Sequence, residues 1–130
     1  MTSQKIVNES DFLDALDGEI QENSKWIKIL QGETKRLYFI LKEKPEYKED
    51  TFKGQPTGVW RTFYVVYDIN SSNPMKEKIF KANTASSRLI NKVLRESHLL
   101  DITHEGTGSS TIYRPIVVPE TQDNLGPIVE

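Results

Sequence analysis

The chain has no cysteine, which excludes disulfides, thiol catalysis and cysteine-ligated zinc. Histidine is scarce too: His98 and His104 are the only two. Their spacing, even with Asp101 between them, matches no metal-ligand pattern. No apolar run approaches the roughly 20 residues needed to span a bilayer. The opening Met1-Thr-Ser-Gln-Lys-Ile lacks the apolar core of a signal peptide, so a cytoplasmic protein without membrane contact is expected. The segment Gly106-Thr-Gly-Ser-Ser lacks the Gly-Lys-Ser/Thr ending of a phosphate loop and leads into no helix. Serine, histidine and aspartate are present without a nucleophile elbow. Neither an enzyme nor a cofactor is expected.

What is present is an uneven charge. The net charge of −2 over 130 residues hides three regions. Residues 1–24 set Lys5 against Glu9, Asp11, Asp14, Asp17, Glu19 and Glu22, a net of −5. Residues 119–130 carry Glu120, Asp123 and Glu130, a net of −3. The stretch 25–118 has 16 Lys and Arg against 10 Asp and Glu, a net of +6. Binding follows the local field, so a basic body between acidic ends points to an anionic partner. The length fits one domain, with 25–118 as its body and 119–130 as a tail with little to pack.

The most distinctive stretch is Trp60-Arg-Thr-Phe-Tyr-Val-Val-Tyr-Asp68. Aromatic and β-branched residues fit a pleated, half-buried surface, so this is a strand with rings on both faces. Around it the pattern predicts an acidic amphipathic helix over 10–21, with Phe12, Leu13, Leu16 and Ile20 at helical spacing. A hairpin is expected between a strand at 26–30 and one at 35–41, turning at Gln31-Gly32-Glu33-Thr34. In the second strand Leu37, Phe39 and Leu41 suit the core, while Arg36, Tyr38 and Ile40 face away. Residues 42–58, with Pro45, Gly54, Pro56 and Gly58, read as a long loop. A strand is expected over 76–82, then a helix capped by Thr84 and running to about Ser97. Strands at 99–103 and 112–118 close the order, with Pro115 marking an edge or bulge.

Without the acidic helix and the strand at 26–30, this gives five strands with one helix between the third and fourth. That is the order of an OB-fold barrel, whose second and third strands commonly bind oligonucleotides. The fold expected is therefore mainly β, an OB-like barrel of five to six strands. An α+β sheet with one packed helix is the alternative.

Two segments carry a family likeness. Lys25-Trp-Ile-Lys-Ile-Leu-Gln-Gly-Glu-Thr-Lys-Arg-Leu-Tyr-Phe-Ile40 resembles the opening of single-stranded-DNA-binding OB domains encoded by bacteriophages and archaeal viruses. Those domains often run from a hydrophobic strand through a Gly-Glu turn to an arginine-bearing strand. Leu99 to Val118 looks like their closing hairpin, where a Gly-x-Gly turn joins two strands. The likeness covers roughly 25–118 and implies a viral protein, acting in the host cytoplasm on DNA in replication or recombination.

Binding a single strand takes cations that follow phosphates and flat rings on which bases stack. The residues that pair the two are Trp26 with Lys28, Arg36 with Tyr38, Trp60 with Arg61 and Tyr64, Lys76 and Lys78 with Phe80, and Tyr113 with Arg114. The competing reading is that strand rings fill the core and lysines protect edges. The function expected is binding of single-stranded DNA with little sequence preference. RNA remains an alternative ligand, since the same platforms stack either. A second reading makes the aromatic strands a surface for another protein or for a second copy of the chain. The acidic tail, ending in Ile128 and Val129, is similar to the tails with which bacterial single-strand binders recruit replication or recombination enzymes.

Overall fold

A computed structural model describes residues 24–42 and 44–126. The helix expected over 10–21 and the apolar end of the tail lie outside the described residues.

The molecule is built on one long strand, β3 (Gln55–Asp68), which contains the aromatic stretch. Alternate residues Thr62, Tyr64, Val66 and Asp68 are buried, while Arg61, Phe63, Val65 and Tyr67 are half-buried. That alternation is the period-2 pattern of a pleated strand packed mainly on one face. β3 is long enough to serve three partners. β2 (Glu46–Phe52) pairs with its first part, from Phe52 opposite Gln55 to Glu46 opposite Phe63. β1 (Thr34–Phe39) takes over the same edge at Val66–Asp68. β4 (Glu77–Asn83) lies along the other edge, from Arg61 opposite Asn83 to Tyr67 opposite Glu77. β1 continues the sheet to β5 (Leu99–Glu105), and β5 to β6 (Ile112–Val117). All these pairs are antiparallel, and the sheet curls into a half-barrel.

The predicted hairpin between 26–30 and 35–41 does not form. Both edges of β1 are already taken, by β3 and β5. The earlier segment instead runs parallel to β4: the Ile27 N–H donates to Ile79 O at 2.8 Å, and the Ile79 N–H to Lys25 O at 2.7 Å. It then reaches β5, where the Gly32 N–H donates to His104 O at 2.8 Å. Residues 25–33 thus cross the gap between β4 and the β5–β6 pair.

The expected loop at 42–58 is also corrected, for most of it is the β2–β3 hairpin. Its two-residue turn is Lys53-Gly54, with φ of +52° and +79°. Two successive positive φ values give the twist that joins antiparallel strands tightly. Thr57, Gly58 and Val59 stand opposite Asp50 in a bulge, with Gly58 at φ +77°. The bulge absorbs the residues that made this stretch look irregular.

The core lies between the inner sheet face and α1 (Thr84–Val93). Leu37, Phe39, Tyr64, Val66, Phe80 and Ile102 fill it, and Ile90 closes it from the helix. Each such side chain, fully buried, contributes about 1.5–3 kcal/mol of hydrophobic stabilisation before ordering costs. The helix cap is Asn83, one residue before the predicted Thr84; its side chain accepts from the Ser86 N–H at 3.0 Å. Ser86 ties the helix to β6 by accepting from the Tyr113 N–H at 2.8 Å.

A smaller cluster of Ile69, Leu99 and Val118 lies on the outer face of β1 and β5, flanked by Tyr38 and Tyr67. Leu125 of α2 (Gln122–Leu125) packs against it. The tail is therefore docked as far as Gly126, against expectation. Glu120 helps hold it, accepting from the His98 N–H at 2.9 Å and the Ser97 hydroxyl at 3.2 Å. Among the described residues no helix is long and apolar enough to cross a membrane.

Candidate nucleic-acid interface

The outer face of β3 and β4 carries the residues that alternate with the core set. Phe63 stands opposite Lys81, and Val65 opposite Ile79. The parallel segment beside β4 then lays Trp26 onto this face. Its ring meets Phe63 edge-on, with centroids 6.3 Å apart and planes at 65°. Cations surround the pair. Lys81 Nζ is 4.9 Å from the Trp26 centroid and 5.9 Å from that of Phe63. Lys48 Nζ lies 4.7 Å from Phe63, and Lys25 Nζ 5.1 Å from Trp26. Each such cation–ring contact contributes about 0.5–1 kcal/mol where solvent reaches it. Trp26 keeps 37% of its surface exposed. A cleft of about 400 Å³ is lined by Trp26 and Phe63 with Lys25, Lys44, Lys48 and one carboxylate, Glu46, which accepts from Lys48 at 3.0 Å.

One carboxylate organises the basic end of this face. The β3 bulge opposite Asp50 leaves its side chain against Lys81, whose Nζ donates to both carboxylate oxygens at 3.1 and 3.2 Å. Arg61 Nε donates at 3.2 Å, and the Thr51 N–H at 2.9 Å. Burial disfavours the Asp50 charge. The hydrogen bonds from Lys81 and Thr51, with the attraction of Lys81 and Arg61, outweigh it and hold the carboxyl below the usual range. Arg61 spends only Nε here, and its other guanidinium N–H groups have no partner among the described residues.

Of the twelve residues singled out in the sequence, Trp26 and Arg61 meet on this face, and Lys28 flanks it. The rest are elsewhere. Tyr64 is fully buried and Phe80 nearly so. Both belong to the core, and neither can stack a base. The Tyr64 hydroxyl donates to Asn91 Oδ1 at 2.6 Å. Lys78 sits on the buried face of β4, only 4% exposed, so it cannot track a solvent-borne phosphate backbone. Lys76 precedes β4, half-buried at the turn.

Arg36 forms a two-pronged pair with Asp101, at 2.8 and 3.1 Å, and reaches Asn124 at 3.4 Å. It therefore braces the docked tail. Tyr38 stacks on Tyr67 in the small outer cluster. Arg114 pairs with Glu105 at 2.9 Å at the sheet edge. Tyr113 is half-buried, its ring edge-on to Phe80 at 5.2 Å, and its side chain also lines a neighbouring cleft that Arg61 and Lys81 share. Trp60 is exposed but shares the other face with Tyr47, their centroids 5.5 Å apart, beside the start of α1.

The residues missed were Phe63, Lys25, Lys44, Lys48 and Lys81. Strand parity holds the signal for one of them, Phe63. Arg61 and Phe63 lie on one face of β3 and Trp60 and Tyr64 on the other, so a site drawn through Arg61 must take Phe63. The contribution of Trp26 and Lys25 depends on a parallel bridge that no local pattern encodes. Among the described residues, no three His, Asp or Glu side chains gather as a metal site.

No protein-family model matches this chain, and neither a curated protein nor a solved structure matches it.

Proposed function

We propose that this is a non-enzymatic, OB-like protein that binds single-stranded DNA with little sequence preference. The observation that carries the reading is the Trp26–Phe63 pair set among Lys25, Lys48 and Lys81 on the outer face of β3 and β4. Rings there stack bases whatever their identity, and the lysines follow the phosphates. The topology supports the same reading. With β2 set aside as an added arm, the sheet order is β4-β3-β1-β5-β6, and α1 falls between the third and fourth barrel strands. The basic face then coincides with the second and third strands of such a barrel, where oligonucleotides commonly bind. Protecting exposed strands during replication or recombination is the role this chemistry fits.

The test is a titration with a thymine oligonucleotide of about 25 nucleotides, longer than the ~4–16 covered by one OB fold. Trp26 and Trp60 report by fluorescence. Saturable quenching that weakens with salt is expected, since each neutralised phosphate on a single strand contributes a slope of about −0.7 in log K against log salt. An unchanged signal and no retained oligonucleotide at low salt would overturn the reading.

A second reading has its own observation. Tyr47, Phe52, Val59 and Trp60 are all exposed on the β2–β3 arm. Tyr47 and Trp60, with ring centroids 5.5 Å apart, offer an apolar surface to a protein partner, and such binding would resist added salt. RNA in place of DNA is distinguished by running the titration with a uracil oligonucleotide.

A further inference from the structure

The gap between β4 and β6 holds a second feature. Residues 27–31 arch across it, and beneath them lies a cleft of about 390 Å³. It is walled by one residue from each of five strands: Asp50, Arg61, Lys81, His104 and Tyr113. Lys28 adds a third cation from the arch. Three cations face one carboxylate, so the cleft keeps a net positive charge after Asp50 is counted. Among the described residues Arg61 bonds Asp50 through Nε alone, which leaves its terminal N–H fork for an anion. Its volume is near the low end of the about 300–1,000 Å³ typical of small-ligand sites.

Two of the lining side chains are rings. Tyr113 and His104 are cross-strand partners with centroids 5.0 Å apart. His104 Nδ1 lies 2.7 Å from Ile29 O, and a carbonyl only accepts, so Nδ1 carries the ring proton. The other ring nitrogen, Nε2, is buried with no hydrogen-bond partner among the described residues. Burial raises the Tyr113 pKa, with the nearby Arg61 charge partly opposing, so the phenol stays protonated at neutral pH.

We propose that this cleft binds one nucleoside monophosphate unit, its phosphate on Arg61 and Lys81 and its base against Tyr113. The class of ligand rests on the strand-binding reading. The unit comes either from the phosphorylated end of a bound strand or from a free nucleotide.

The test is an amide NMR titration of the full chain with thymidine 5′-monophosphate and with thymidine. The monophosphate is expected to shift Lys81, His104 and Tyr113, with thymidine binding about tenfold more weakly for want of the charged contacts. Arg61→Gln and Lys81→Gln should each weaken the monophosphate about tenfold, and Arg95→Gln, exposed in the turn after α1, should not. Oligonucleotides with and without a 5′-phosphate separate the sources: tighter binding of the phosphorylated strand assigns the site to strand ends, and equal binding to free nucleotides. Unmoved amides, or no loss in both Gln variants, would overturn the proposal. Oligonucleotide quenching is read alongside. Quenching with a silent cleft sinks this proposal and spares strand binding; a responsive cleft without quenching does the reverse.

Discussion

Trp26 and Phe63 come from segments 37 positions apart and meet edge-on at 6.3 Å, beneath the Lys81 ammonium. Neither ring is placed by its immediate neighbours alone. Phe63 is turned outward by the parity of β3, and Trp26 is held by the bridge to Ile79. Trp26→Ala and Phe63→Ala should each cost about 1–3 kcal/mol of oligonucleotide binding, the range for one stacked base. Trp60→Ala, on the other face, should cost little. Anisotropy of a labelled thymine oligonucleotide decides between them, and a larger loss at Trp60 would move the interface to the β2–β3 arm.

Asp50 acts as a resident anion between Lys81 and Arg61, at 3.1 and 3.2 Å. A phosphate must share those cations or displace the carboxylate. Asp50→Asn should therefore tighten oligonucleotide binding and steepen the salt dependence by about −0.7 for each further phosphate engaged. It should also lower stability at neutral pH. The Asp50 pKa is depressed in the fold, so its contribution is present above the ordinary value of about 3.9 and is lost as pH falls through the folded value. Denaturant unfolding from pH 7 down to about 3 should show that loss in the parent protein and not in Asp50→Asn.

Much of the sheet was legible in the sequence. The Trp60–Asp68 stretch, the strands near 35–41, 76–82, 99–103 and 112–118, and the helix after Asn83 all carry local signals of composition and period. The buried face of β1 was legible in Leu37 and Phe39, but that of the aromatic-rich β3 was not. Tyr64 and Phe63 differ by one position and exchange roles between core and surface. An aromatic-rich strand is apolar on both sides, so alternation alone does not orient it. Pro56 and Gly58 hid the arm: Pro56 pairs opposite Thr51 next to the turn, and a bulge with a positive φ accommodates Gly58. Trp26 was chosen for its residue type, but its place depends on a long-range pairing. The tail looked unpackable because prolines, a glycine and polar residues dominate it, and only the cluster of Ile69, Leu99 and Val118 gives Leu125 somewhere to sit.

That docking has a measurable consequence. Glu120 satisfies the His98 N–H and the Ser97 hydroxyl where the chain leaves α1 for β5. Glu120→Ala should lower stability by about 1–2 kcal/mol, because hydrogen bonds to a charged group are lost. Leu125→Ala should add a smaller loss. Thermal unfolding of both variants checks this. Unchanged midpoints would mean that the tail contributes nothing to the fold and is free to act elsewhere.

Tyr64 tests the division between core and interface most directly. Its ring is edge-on to Phe39 at 5.2 Å, and its hydroxyl bonds Asn91. Tyr64→Phe keeps the ring and should cost about 0.5–1.5 kcal/mol of stability, leaving oligonucleotide affinity unchanged. Burial pushes the Tyr64 phenol above its ordinary pKa, with a hydrogen bond donated by Ser87 partly opposing. A raised folded pKa means that this contribution is fully present below about pH 10 and is lost as pH climbs through the folded value, because the unfolded phenol ionises first. The parent protein should therefore lose stability steeply above about pH 10, and Tyr64→Phe should lose less over the same range. Following tyrosinate absorbance alongside denaturant midpoints reads both effects. If Tyr64→Phe instead weakened binding at unchanged stability, the ring would face the ligand, and the assignment of the inner and outer faces of β3 would be reversed.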